Sequence, residues 1–217
     1  MDYVEYPSVG KFEGDVFDPR MWRPQTPTTA YLEMRDDDAF WAARRVAAFT
    51  DDLIRAAVHT GQYSDPKAEK YLADVLIQRR DKVTSTYLTA VNPIVSPRLD
   101  ADSRLTFDNA ALAAGVASGP ATYRGSWFRF DNATGETQAL SDTQSATTTL
   151  EAPPGMPTAS GSFVKVDISV DSEAHPTWRR PISAYFRRGG AGWTLVGLER
   201  LPETLAIATA GPVRRAH

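Results

Sequence analysis

The hydrophobic pattern changes period near Asn92-Pro93: three stretches with helical spacing precede this point and at least five with strand spacing follow it. A helix brings every third or fourth residue to one face and a strand every second, so no single element satisfies both patterns. The chain therefore reads as α+β, with an N-terminal extended arm and a three-helix segment followed by an antiparallel Ig-like β-sandwich. The expected divisions are an arm over 1–35, a helical subdomain over 36–92, a sandwich over 103–203 and a loose tail over 204–217.

Each predicted helix carries its own start signal. Asp36-Asp37-Asp38 precedes Phe40, Trp41, Ala43, Ala47 and Phe49, and carboxylates there cap free amides and complement the helix dipole. Three adjacent aspartates also suggest a divalent metal, but consecutive helical residues diverge, so capping is the better reading. Thr50-Asp51-Asp52 opens a second, short helix with Leu53, Ile54, Ala57 and Val58 as its apolar stripe and Gly61 as a left-handed stop. Ser64-Asp65-Pro66 opens a third, running to about Ala90 before Asn92-Pro93 ends it.

The first 35 residues hold Pro7, Pro19, Pro24 and Pro27 among Tyr6, Phe12, Phe17, Trp22 and Tyr31. That is too much proline for a long helix and too much aromatic surface for a free linker, so an arm packed on the body is expected. The opening Tyr6-Pro7-Ser8-Val9-Gly10 does not look like a domain start, which suggests an upstream domain as an alternative site for the arm.

Beyond a loop containing Pro93 and Pro97, Leu105-Thr106-Phe107 and Thr122 to Phe130 read as strands. The alternation is cleanest in Phe163 to Val170, where Val164, Val166, Ile168 and Val170 point inward. Ile182 to Arg188 and Trp193 to Arg200 flank a glycine-rich turn and predict a hairpin, and Asn132-Ala133-Thr134-Gly135 predicts another leading into Glu136 to Leu140. Ser141 to Gly161 reads as a long connection with an edge strand at Thr147 to Glu151.

The chemistry-bearing residues are sparse. With no cysteine, disulfides, thiolate nucleophiles and cysteine-held metals are excluded. A net charge of −3 argues against a nonspecific grip on nucleic acid, no run approaches the length of a membrane span, and no basic-then-apolar signal opens the chain. The expectation is a soluble chain whose compartment stays open. His59, His175 and His217 are isolated from one another, and no G-x-S-x-G, H-E-x-x-H, Walker A or dinucleotide motif occurs. No catalytic residue, cofactor or metal ligand is therefore expected, and the chain reads as more binding module than enzyme. Asp131 to Glu136 superficially resembles a calcium loop but lacks its alternating carboxylates, so a hairpin turn is preferred.

The candidate contacts for a ligand or partner are Arg79 and Arg80, able to hold a phosphate or carboxylate, and Trp178 with Arg179 and Arg180 in a proline-flanked loop. Trp127, Tyr185 and Trp193 extend the aromatic set toward a glycan-stacking platform; core packing is the competing role for all of them. A protein partner or an upstream domain is expected, with a small ligand or glycan as the alternative.

The runs Asp38 to Arg45, Tyr63 to Pro66, Tyr71-Leu72 through Arg79-Arg80-Asp81-Lys82, Phe128 to Gly135 and Trp193 to Arg200 resemble the C-terminal region of large uncharacterised bacterial proteins. The helical part is also similar to the last helices of the C-lobe in atypical bacterial kinases. That second resemblance implies the distal end of a kinase-like protein without the nucleotide-binding lysine or metal-binding aspartate motifs; with the unusual opening segment it gives the alternative reading of a C-terminal portion of a larger kinase-like or hydrolytic enzyme, inactive alone.

Overall fold

A computed structural model describes residues 5–201, and the chain divides into two compact units between Thr89 and Ala90. The predicted tail over 204–217, with His217, lies outside the described residues. No described helix is long and apolar enough to cross a membrane.

The first unit holds α1 (Thr29–Leu32), α2 (Asp36–Ala47), α3 (Asp51–His59) and α4 (Pro66–Leu88). The sequence signals act as local caps. The Asp38 carboxylate accepts the Arg35 N–H, Thr50 Oγ1 accepts the Leu53 N–H, and Asp65 accepts the Lys67 N–H beside Pro66 at the first helical turn. The left-handed stop after α3 falls on Gln62 (φ 50°) rather than Gly61. Gly61 is demanded by space instead: a Cβ there would sit 2.8 Å from the Tyr63 ring.

The arm runs alongside α4 in the same direction, and α4 side chains hold its carbonyls in order. Tyr71 Oη donates to the Phe12 carbonyl (3.0 Å), Arg79 Nε and Nη2 to that of Glu13 (2.9 and 2.7 Å), Lys82 Nζ to that of Asp15, and Tyr87 Oη to that of Pro19 (2.8 Å). A proline-rich segment leaves many carbonyls unpaired, and long polar side chains of a neighbouring helix supply the missing donors. Gly14 makes the close approach possible, since a Cβ there would meet Gln78 Cβ at 3.1 Å and its Oε1 closer still.

The second unit holds β1 (Ile94–Leu99), β2 (Arg104–Asn109), α5 (Ala110–Ala113), β3 (Thr122–Phe130), β4 (Thr137–Ser145), β5 (Thr149–Glu151), β6 (Phe163–Asp171), a 3₁₀ turn (Pro176–Arg179), β7 (Ile182–Gly189) and β8 (Gly192–Glu199). All pairings are antiparallel, in a three-stranded sheet of order β1-β2-β5 and a five-stranded sheet of order β4-β3-β6-β7-β8. The two sheets are not closed on each other. Their five-and-three division departs from the four-and-three division of an immunoglobulin constant domain.

The inner faces meet in one core. Val164, Val166, Ile168 and Val170 of β6 are fully buried, as are Ile182, Ala184 and Phe186 of β7. Phe107 of the smaller sheet packs on Tyr123 of the larger with ring centroids 5.2 Å apart, and Gly125 leaves room for the Leu150 side chain. Asn92 ties this core together although it is polar and 1% exposed. Its Nδ2 donates to the carbonyls of Ile168 (2.9 Å), Trp178 (3.2 Å) and Arg180 (3.0 Å), and its Oδ1 accepts the Ile94 N–H.

Two expectations are corrected. The segment around Pro93 and Pro97 is not only a loop: β1 begins at Ile94, and Pro97 sits in a bulge between Val95 and Arg98, with Ser96 at φ 53°. A bulge releases one residue from the ladder, so the missing proline N–H does no harm there. The strand expected to end at Leu140 continues to Ser145, because β4 lies at a sheet edge and needs no apolar face.

Candidate functional site

The predicted contact residues are dispersed, and most are occupied internally. Arg79 is bound to the arm, its guanidinium 3.9 Å from the Phe12 ring centroid and 4.7 Å from that of Phe17. Arg80 donates to the Phe49 carbonyl and pairs with Asp51 (2.6 Å) and Asp81 (2.7 Å), with its side chain 15% exposed. Burial works against its charge, but the hydrogen bonds it donates to Asp81 and Asp51 prevail and hold its pKa above the ordinary arginine value.

Trp178 is not a surface platform. The 3₁₀ turn directs its indole into the core at 1% exposure, with the His175 ring stacked 4.1 Å away. Trp127 is equally buried and donates from Nε1 to Thr143 Oγ1. Arg180 is exposed, while Arg179 is exposed and paired through Nε and Nη2 with Asp171 (2.9 and 2.8 Å). Of the predicted set, only these two arginines remain available at the surface.

Sequence reading passed over an apolar groove in the helical unit, about 490 Å³ in volume. Val46 and Phe49 at the end of α2 form one wall, Ile54, Ala57 and Val58 of α3 another, and Leu72 and Leu76 of α4 the third. The buried cluster of Ile54, Val58 and Ala73, with Tyr63, Leu72 and Leu76 partly covered, lies at its base. Phe49 is left 51% exposed and the neighbouring Leu53 49%. The signal was present, since α3 carries five apolar residues in nine, but helical spacing alone does not reveal which apolar side chains stay uncovered.

The outer face of the five-stranded sheet is polar by register. Across its middle run Asp142, Ser126, Asp167, Ser183 and Glu199, and beside them Phe128, Lys165 and Tyr185. Asp167 accepts Ser183 Oγ (2.6 Å) and pairs with Lys165 Nζ (3.1 Å), while Tyr185 Oη donates to Glu199 (3.1 Å). Burial and that bond push the Tyr185 hydroxyl up to about 12. Ser183 is fully buried, so its hydroxyl is not accessible as a nucleophile.

Asp131 Oδ1 accepts the amides of Ala133 and Thr134, which makes the β3–β4 connection an Asx turn rather than a cation loop. His59 meets Glu69 at 2.9 Å on an exposed surface, and among the described residues no three carboxylates or imidazoles converge as a metal site. No protein-family model matches the chain, and no curated protein or solved structure matches it.

Proposed function

We propose that the chain is a non-catalytic binding or assembly module, and that the apolar groove of the helical unit receives a helical segment of a partner protein. The groove itself supports this reading most: its walls are apolar on three helices, and its rim arginine, Arg80, is already neutralised by Asp51 and Asp81. Apolar surface left in water is unfavourable by about 25 cal/mol per Å², and covering it is the usual driving force for association. Apolar walls contributed by three helices suit an amphipathic helix that inserts side chains at i, i+3 and i+4.

The β unit serves this module as a sandwich-type scaffold, with its rigidity coming from the buried inner faces. The resemblance to the C-terminal region of larger bacterial proteins extends the proposal: in a longer polypeptide the partner helix would be upstream in the same chain. A detached enzyme portion is the competing reading, and no arrangement of described side chains favours it.

The test places a photo-crosslinking phenylalanine analogue at Phe49 in the native source and, as control, at Thr194 on the outer sheet face. A single crosslinked species from position 49, absent at position 194 and lost when Ala57→Glu narrows the groove, is expected. Equal crosslinking from both positions, or none from position 49, overturns the reading.

A further inference from the structure

Arg124 stands on β3 with Gln144 of β4 on one side and Ser169 of β6 on the other, one row in from Thr122 and Asp171. Together with Arg179 these residues line a cleft of about 540 Å³ without a single apolar side chain among them. Asp171 is the one carboxylate present, and Arg179 holds it through two guanidinium nitrogens. Arg124 has no carboxylate within ion-pair distance among the described residues. The cleft therefore holds one neutralised pair and one uncompensated guanidinium, surrounded by two hydroxyls and an amide.

We infer that this cleft is a binding site for a phosphate group, with Arg124 as its principal anchor. The guanidinium offers a planar fork, and Thr122, Ser169 and Gln144 add donors from three strands. Donors arriving from several directions serve a tetrahedral oxyanion better than a carboxylate, whose two oxygens lie in one plane with the fork. Arg179, fixed by Asp171, contributes field at the rim. The site lies within the β unit and is independent of the groove reading.

The test is calorimetric titration of the full chain with inorganic phosphate and, separately, methyl phosphate, at ionic strength held constant with sodium chloride. Succinate serves as the planar-anion comparison. Saturable binding of phosphate is expected, weakened about tenfold or more by Arg124→Gln and partly restored by Arg124→Lys. Arg98→Gln, on the other sheet, leaves it unchanged. Methyl phosphate binding as well as inorganic phosphate identifies a monoester as the natural form; inorganic phosphate alone identifies the free ion. Should Arg124→Gln fail to fold, Ser169→Ala, which removes one donor from the same cleft, serves as the second variant and is expected to weaken binding. Absence of saturable phosphate binding, binding undiminished in the variants, or succinate binding more tightly than phosphate overturns the inference.

Discussion

Both units use polar side chains to hold backbone carbonyls of a distant segment, and they do so in opposite surroundings. In the β unit Asn92 is 1% exposed and binds three carbonyls of the β6–β7 region from inside the core. In the helical unit Arg79 binds the Glu13 carbonyl between two phenylalanine rings on the outside of α4. A buried polar hub cannot exchange its partners for water, whereas a half-exposed one can. The β unit is thus built to stay closed, and the arm of the helical unit is held by contacts that water can replace.

The cores differ in the same sense. Trp127, Trp178, Tyr123 and Phe186 are fully buried in the β unit, while among the described residues eight of the eleven large apolar side chains left exposed fall before Thr89. Packing large side chains from two sheets covers both faces at once. Two short helices and an arm against the long α4 leave apolar edges such as Phe49 and Leu53 over.

The contrast is sharpest at Asn92. Asn92→Ala removes the donor to three carbonyls and strands the buried Ile94 N–H, and we expect a loss of about 3 kcal/mol. Urea unfolding followed by the blue-shifted emission of buried Trp127 and Trp178 measures it. A loss below about 1 kcal/mol would mean that water or the backbone replaces the hub, and the contrast between the units would collapse.

Arg79→Ala is expected to cost less, about 1–2 kcal/mol, as two cation–π contacts and two charged hydrogen bonds to one half-exposed carbonyl disappear. Its clearer signature is local: trypsin should cut faster at Lys11 and Arg20 while tryptophan emission from the β core is unchanged. Unchanged cleavage in the arm would show that the tyrosine and lysine bonds along α4 hold it without Arg79.

The smallest effect lies on the outer sheet face. Tyr185 ionises at about 12 in the folded protein against an ordinary value near 10, so the unfolded chain releases its proton first as pH rises. The stabilisation is complete below pH ~10 and is lost as pH rises from there through the folded value. Stability of the wild type should therefore fall more steeply than that of Tyr185→Phe over this window, and a tyrosinate absorbance titration should lose its late step in the variant. Parallel pH profiles would place the Tyr185 hydroxyl in open water.

Much of the secondary structure was legible because its causes are local. Asp38, Thr50 and Asp65 cap the helices they precede, and the alternation of Val164, Val166, Ile168 and Val170 directly gives the buried face of β6. β1 was hidden because Pro97 and Ser96 look like a loop until a partner strand turns them into a bulge. The candidate contacts fared differently. Arg80 and Trp178 carry sequence signatures identical to those of exposed binding residues, and only Asp51, Asp81 and the 3₁₀ turn decide otherwise.

The amino-acid sequence by itself determined where the helical pattern gives way to strands, which residues begin each helix, and which strand face is apolar. These follow from steric and capping preferences acting over a few residues. Only the tertiary structure decided that Asn92 is a buried hub, that Arg79 clasps the arm, that Trp178 belongs to the core, and that Arg124 faces a polar cleft with no carboxylate of its own. Each depends on partners from 20 to 88 residues away that are brought close by strand register and helix packing. Spacing along the chain does not encode that proximity.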